Sequence, residues 1–393
     1  MQVVPPMPAR MVFLLLLFAP MVRIGYEYII PIFILFFISS RFGFSVSFMP
    51  SDVWVYAIIF SLIYILFPKG RTLFSNNVVT VFFAYVIMVD LIRGEGVEEN
   101  GLCLLILLIL LSTTEKYTSF NNVKVLSVSF CLSSIILSLE FIIKGSQFSR
   151  LYSFSTGIER MGWNDPNYFG FAIVMGIVAS LVLLLNLQSC KISEKILSFA
   201  TIIISIPAIV LNSSRSTIIS IGLLFVTSFL FSKIKFHYRV ITVILVILFF
   251  LYLYKNHYFD LLLFRVENVS FDGGREFIWQ TKVNTFFQQS NIADLLFGYG
   301  YKNGYNIGFS HGQGFHNEFL ATLVDYGFVG LSLFIYIVFS PILMIRKKRL
   351  VAIMPLILLL MACFTLEPWT MGSLSFYLFY FYFVAITKNK RYT

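Results

Sequence analysis

The sequence has few charged residues. Only 12% of its 393 residues are Asp, Glu, Lys or Arg, whereas 58% are hydrophobic. Soluble globular proteins carry about 25% charged residues, so this balance excludes a soluble domain and is typical of a polytopic membrane protein. The net charge of +10 does not indicate nucleic-acid binding, because the basic residues lie in short clusters between apolar runs, where the positive-inside rule expects them.

Several signatures of metal and cofactor chemistry are also missing. The four cysteines have neither metal-ligand spacing nor a disulfide framework. The sequence contains no Walker A loop, no HExxH motif and no dinucleotide-binding GxGxxG motif. It also lacks any Asp-x-Asp pair of the kind that holds a catalytic divalent metal. We therefore expect neither a metal nor a cofactor. If the protein is an enzyme that acts on a phosphorylated substrate, arginine would have to neutralise the charge of that substrate.

What the sequence has in abundance is apolar segments near the length that crosses a bilayer. They lie at 11–40, 52–67, 76–92, 101–113, 123–143, 167–187, 195–211, 216–232, 238–254, 317–345, 350–366 and 369–386. Lys and Arg concentrate in alternate connections, which assigns those connections and both chain ends to the cytoplasm. The sequence therefore predicts an all-α fold, a polytopic helical bundle of about 12 spans.

One connection on the outer side is much longer than the others. Residues 255–316 carry five Lys or Arg, five Asp or Glu and fourteen aromatic residues. This segment is too aromatic for a disordered linker, so we expect it to be partly helical and to fold back onto the outer face of the bundle. The predicted division is a first part of the bundle at 1–254, a large outer loop at 255–316, and the last three spans at 317–393.

Two arginines lie on the outer side, against the positive-inside rule. Arg215 stands in the short turn LNSSRST between two apolar segments, and Arg275 follows an Asp-Gly-Gly turn and begins an amphipathic segment. A fixed guanidinium binds an anion through two hydrogen bonds, and the free N–H groups of a helix start favour the same anion. The alternatives are contact of Arg215 with lipid headgroups and pairing of Arg275 with a nearby carboxylate.

A third candidate begins the span at 317–345. His316, Leu320, Leu323 and Gly327 are spaced by four, three and four residues, which predicts one face of a helix starting at His316. Imidazole exchanges protons near neutral pH, so His316 could act as a base on a hydroxyl group. The alternative is a histidine that only caps the helix. Further along, Gly327 and Gly330 predict a close approach by another helix.

Weaker candidates for substrate binding surround these three residues. They are Arg150, Arg160, Asn167, Trp279, His311, Asn317 and Glu318. Asp165-Pro166 is a good helix start, so Asn167 would face the outer loop. Arg150 and Arg160 could equally pair with a carboxylate or with headgroups, and packing is the usual role of a lone Trp such as Trp279.

The order of these motifs along residues 150–335 resembles the O-antigen polymerase and O-antigen ligase superfamily of bacterial inner membranes. The shared pattern is NDPN, SR at the outer end of a helix, GR…W after a long outer loop, and HN…L…L…GxxG at the start of the next span. The resemblance implies a metal-independent membrane glycosyltransferase with its active site at the periplasmic face. It also implies that Arg215 and Arg275 bind the diphosphate and that His316 is the base or orients the acceptor.

The resemblance also implies partners. They are an undecaprenyl-diphosphate-linked oligosaccharide as substrate, the lipid bilayer, and a protein that regulates chain length, whereas nucleic acid is not expected. We favour a polymerase over a ligase that transfers polymer to lipid A core, because polymerases are the more divergent group and the outer surface is not strongly basic. A flippase of lipid-linked oligosaccharide is the alternative from another class. It would place more charges inside the spans, where Glu140 is a rare example here.

Overall fold

The structure is a computed structural model, and it describes residues 77–94, 120–144, 166–186, 190–231, 236–260, 262–263, 275–307, 314–343 and 349–366. Four predicted spans and three predicted site residues lie outside the described residues, namely 11–40, 52–67, 101–113, 369–386, Arg150, Arg160 and His311.

The regular structure within these ranges is entirely helical, so the all-α class is confirmed there. The helices are α1 (Asn77–Arg93), α2 (Phe120–Lys144), α3 (Pro166–Asn186), α4 (Ile192–Asn212), α5 (Arg215–Phe231), α6 (Phe236–Lys255), α7 (Arg275–Gln289), α8 (Ile292–Phe297), the 3-10 helix Asn303–Asn306, α9 (Glu318–Leu343) and α10 (Arg349–Thr365). Eight of them match the eight predicted segments in the described ranges to within three residues at each end.

Two of the described helices are long and apolar enough to cross a membrane. They are α4 and the Glu318–Ser340 part of α9. Shorter apolar stretches lie in α2, α3, α5, α6 and α10. The total of about 12 spans, the division into domains and the periplasmic position of the long loop stay predictions.

Small polar residues bring α2, α3 and α4 close together. The Ser134 hydroxyl of α2 donates to the carbonyl of Ile173 in α3 at 2.9 Å and lies 2.8 Å from the Ser205 hydroxyl of α4. A Cβ atom placed on Gly176 would overlap the Ser134 side chain. Small residues that let backbones approach, together with serine hydrogen bonds, are the usual way in which membrane helices pack.

The direction of the helices decides which residues share an end of the bundle. The Ser228 hydroxyl, near the end of α5, donates to the Met354 sulfur, near the start of α10, at 3.2 Å. The two helices are therefore antiparallel, and Arg215 at the start of α5 lies at the same end as the last turn of α10. There the rings of Phe364 and Phe319 have centroids 5.0 Å apart. We call this end, where α5 and α9 begin and α10 ends, the site end.

Helix α9 differs from its prediction in two ways. It begins at Glu318, and His316 before it has a left-handed backbone with φ 49°. It also breaks at Gly327, where φ is 66° and ψ is −170°. The prediction that His316 and Gly327 share one continuous helix face is therefore wrong. A residue with positive φ cannot continue a right-handed helix, and at each of these two positions the backbone is turned out of the helix.

The predicted close approach at the two glycines is confirmed, with a different neighbour at one of them. A Cβ atom on Gly327 would overlap the backbone of Leu296 at the end of α8, which belongs to the long connection and not to another span. A Cβ atom placed on Gly330 would lie 3.2 Å from the ring of Tyr85 in α1, the nearest atom from another helix. The break in α9 therefore receives the loop, and only the second glycine faces another predicted span.

The described part of the long connection folds back onto the bundle. Residues 294–304, which we call the docking segment, bond to the middle of α9 through the Asp325 carboxylate. Its two oxygens accept from the backbone N–H groups of Lys302 and Gly304, each at 3.0 Å. The backbone N–H of Gly300 donates to the Asp325 carbonyl at 2.8 Å. These bonds fix the docking segment against the break in α9.

Candidate active site

Arg215 occupies the start of a helix beside a very short turn. Helix α4 ends at Asn212, Ser213 has a left-handed backbone with φ 51°, and α5 begins at Arg215. The expected tight turn is therefore present. The Arg215 side chain is partly exposed, while Ser213 and Ser214 are buried. A cation at this point adds to the positive end of the α5 dipole, so the local field favours an anion.

Asn167 joins α3 to the Arg215 turn. Its side-chain oxygen accepts hydrogen bonds from the Ser214 hydroxyl at 2.7 Å and from the Ser216 hydroxyl at 3.1 Å. Helix α3 begins at Pro166, as predicted, so its first turn also lies at the site end. Because the Asn167 oxygen is used within the protein, this residue orients the two serines on either side of Arg215.

The same crossing depends on Gly170. A Cβ atom there would overlap the Thr217 side chain in the first turn of α5. We expect Gly170→Val to push α5 away, to destabilise the protein by about 1–3 kcal/mol, and to lower activity at least tenfold through displacement of Arg215. Gly222→Val in α5 is the matched control, since a Cβ atom on Gly222 meets nothing within 4 Å. Equal thermal midpoints and equal product from the two variants would contradict this prediction.

His316 lies in a turn held on both sides. The preceding residue, Phe315, is 1% exposed. The following residue, Asn317, caps α9, because its side-chain oxygen accepts from the backbone N–H groups of Phe319 at 3.0 Å and Leu320 at 3.2 Å. Glu318 is buried in the first helical turn, where a carboxylate suits the helix dipole. The His316 side chain between them is only partly buried.

Helix α7 brings Trp279 to this turn. The Trp279 ring nitrogen donates to the carbonyl oxygen of Phe315 at 2.6 Å. Helix α7 begins at Arg275, as predicted, and the Arg275 side chain is partly exposed. Since Arg275 and Trp279 are four residues apart, they lie on one face of α7. The interpretation of Trp279 as a packing residue therefore has direct support, whereas sugar binding by Trp279 stays a prediction.

The predicted residues thus form two groups. The Arg215 group contains Asn167, Ser214, Arg215 and Ser216, and the His316 group contains Arg275, Trp279, His316, Asn317 and Glu318. The antiparallel packing of α5 and α10 puts the Arg215 turn and the first turn of α9 at the site end. This arrangement offers a cationic helix start, serine hydroxyls and an imidazole at one end of an apolar bundle.

A comparison with known protein families matches a segment that contains the catalytic candidates of both groups. The family model described as O-antigen ligase matches residues 200–335, a segment that contains Arg215, Arg275 and His316. Over this segment the chain is similar to the O-antigen ligase and polymerase superfamily, as its motifs indicated. The match supports a membrane function of the ligase or polymerase type. The search of curated proteins found no match to it.

Sequence reasoning missed several residues that shape the site. Asp90 is 1% exposed and accepts from the backbone N–H of Tyr301 at 3.0 Å. Arg93 pairs with Asp294 at 2.6 Å, and Lys282 is completely buried. A lone Asp in the apolar run 76–92 was the available signal, because charges inside such runs are costly. Among the described residues, no three His, Cys, Asp or Glu side chains are close enough together to hold a metal ion.

The Arg93–Asp294 ion pair connects α1 to the docking segment, which precedes His316 in the chain. We expect Arg93→Met to loosen that segment, because it leaves the largely buried Asp294 carboxylate without its cation. Trypsin cleavage after Lys302 should become several-fold faster. Arg93→Lys, which keeps the charge, should cleave at nearly the wild-type rate. The prediction is wrong if Arg93→Met and wild type are cut equally fast.

Proposed function

We propose that this protein is a polymerase of O-antigen or another surface polysaccharide. It joins undecaprenyl-diphosphate-linked repeat units at the periplasmic face of the inner membrane and uses no metal. One observation carries the proposal: the segment that matches the family contains Arg215 and His316, and their turns lie at the same end of the bundle. A diphosphate requires cations, and a sugar hydroxyl requires a base, so this pairing fits the reaction.

The reaction is a single displacement at an anomeric carbon. A hydroxyl group of the acceptor sugar attacks that carbon, and His316 accepts the hydroxyl proton as the new C–O bond forms. The bond between the anomeric carbon and the diphosphate oxygen breaks, and the electron pair leaves with undecaprenyl diphosphate. The anomeric configuration is inverted. The proton on His316 is then released to water, which restores the base.

The leaving diphosphate gains charge as its bond to the sugar breaks. Arg215 stabilises this charge, aided by the Ser214 and Ser216 hydroxyls and by the start of α5. Arg275 supplies a second guanidinium from the start of α7. Asn167 supports the first of these groups through its bonds to the two serines. Donors that are already oriented in the protein need no rearrangement at the moment of reaction.

The conformation of His316 supports a catalytic role. Positive φ is uncommon for a residue with a side chain, and its cost of about 1 kcal/mol must be offset by neighbouring contacts. His316 has φ 49°, and its neighbours Phe315 and Asn317 are both buried. Such strained residues cluster at functional sites, because the strain directs a side chain to where the chemistry needs it.

Ligase activity is the second candidate, and the description of the matching family model favours it. A ligase would transfer the finished polymer to lipid A core by the same displacement and with the same residues. A flippase is less well supported. The buried Asp90 and the partly exposed Arg93 bond to the docking segment, and so they hold the loop rather than line a passage. The lipid bilayer and a chain-length regulator protein are the proposed partners besides the substrate.

The test uses cells that carry the matching glycan gene cluster but lack this gene. Their lipopolysaccharide is separated on a gel after the wild-type gene, Arg275→Ala or His316→Ala is restored. We expect the null strain to show core with one repeat unit, and only the wild-type gene to restore a ladder. Bare core together with accumulated lipid-linked polymer would show that the protein acts as a ligase and not as a polymerase. Repeat units held at the cytoplasmic face would overturn both in favour of a flippase.

A further inference from the structure

Lys282 is a completely buried lysine that the proposed chemistry does not use. Its amino group donates to the carbonyl oxygen of Gly304 at 2.7 Å and lies 5.2 Å from the centroid of the Phe315 ring. It therefore connects three segments: α7, the 3-10 helix and the turn that contains His316. Burial of an amino group costs hydration free energy, and one hydrogen bond to a neutral carbonyl recovers only part of that cost. Stability alone is thus a weak reason for lysine here.

The contacts of Lys282 belong to a continuous face of α7. Arg275, Trp279, Lys282 and Phe286 are spaced by four, three and four residues, so they follow one side of the helix. Trp279 bonds to the carbonyl of Phe315, Lys282 lies over its ring, and Phe286 shares a buried cluster with it. Three of the four residues on this face therefore hold Phe315, and the fourth is a proposed diphosphate ligand.

This arrangement determines where His316 can be. The Phe315 carbonyl belongs to the peptide unit that leads into His316, so a bond to that oxygen restricts the His316 φ angle. Lys282 also helps to hold the Phe315 side chain, from which the same peptide unit extends. Asn317 fixes the other side as the cap of α9. Contacts of both neighbours, Phe315 and Asn317, thus restrain the left-handed φ of His316. Only the contacts of Phe315 come from α7.

We infer that Lys282 is a positioning residue. Together with Trp279 it fixes the His316 turn, and it thereby holds His316 in a constant position relative to Arg275, which lies on the same helix as Lys282. The inference rests on the proposed function for its kinetic consequence, whereas the geometric coupling of Lys282 to His316 stands without it. Lys282 itself touches no reacting atom. Its effect passes through Phe315 to the backbone of His316.

The first arm of the test measures turnover. Purified Lys282→Met is compared with wild type and with Lys302→Met, another lysine whose amino group lies over a ring, that of Tyr301 at 4.8 Å. With lipid-linked repeat units as substrate, we expect Lys282→Met to lower kcat at least tenfold and to change KM less than twofold. Trp279→Phe, which removes the indole N–H and one of the two fused rings, should do the same. A wild-type kcat in both Lys282→Met and Trp279→Phe would overturn the inference.

The second arm needs no activity. Diethyl pyrocarbonate modifies histidines, and mass spectrometry follows the rate at His316, with the exposed His257 as an internal reference. We expect Lys282→Met to change the His316 rate at least threefold, and Lys302→Met to leave it unchanged. If wild type makes no product but the His316 rate still changes, only the proposed function fails. An unchanged His316 rate in both Lys282→Met and Trp279→Phe overturns the positioning role.

Discussion

Arg215→Ala is expected to reduce polymer formation at least a hundredfold while the protein still inserts and folds. Removal of one oriented group that stabilises a developing negative charge lowers turnover about 100- to 1,000-fold. Arg215 is partly exposed at the start of α5, so its loss leaves no cavity in the bundle. The measurement is the amount of product per membrane-inserted protein in the null strain.

Two further variants make this prediction sharper. Arg215→Lys keeps the charge but loses the planar, bidentate hydrogen bonding of guanidinium, and we expect it to lower polymer formation about tenfold. Arg239→Ala removes an arginine in the first turn of α6, the helix that follows the end of α5 farthest from Arg215, and should leave activity unchanged. The account is contradicted if Arg215→Ala supports a full ladder, or if Arg239→Ala loses as much activity as Arg215→Ala.

His316→Gly is expected to abolish activity and yet to be more stable than His316→Ala. Glycine adopts a left-handed backbone without steric cost, whereas alanine at φ 49° is strained by about 1 kcal/mol. For a protein of this size, that difference corresponds to about 1–3 °C in the thermal midpoint. Both variants lack the imidazole, so both should lose at least a hundredfold in turnover.

Comparison of stability with activity separates the two roles of this residue. His316→Asn is the matched control, because asparagine tolerates positive φ and is polar but is not a base. We expect its thermal midpoint to be close to that of wild type and its activity to be lost. Thermal unfolding in detergent and product formation are measured on the same preparations. A His316→Ala variant with near wild-type turnover would remove His316 from the mechanism.

The sequence predicted the described helices well, because hydropathy is a local property. The apolar run 216–232 became α5 at Arg215–Phe231, and the run 350–366 became α10 at Arg349–Thr365. Asp165-Pro166 and the amphipathic run from Arg275 also predicted where α3 and α7 begin, because helix starts depend on adjacent residues. The same local reasoning placed Arg215 in a tight turn.

The errors arose where distant segments meet. The apolar spacing from His316 to Gly327 is typical of one helix, but Asn317 caps the helix and Gly327 breaks it to receive the backbone of Leu296. Asn directly before an apolar run was a capping signal that could have located the start of α9. The partners of Asp90 lie more than 200 residues away in the chain, so its role in docking could not be read from its neighbours.

The most direct test of the central claim is a reaction with purified components. The protein in lipid nanodiscs is given synthetic undecaprenyl-diphosphate-linked repeat units in the presence of EDTA, and mass spectrometry follows chain length and released undecaprenyl diphosphate. We predict that wild type forms dimers and longer chains, with one undecaprenyl diphosphate released per linkage, and that His316→Ala forms none. Wild-type protein that makes no linkage, or makes linkages only after a divalent metal is added, would contradict the account.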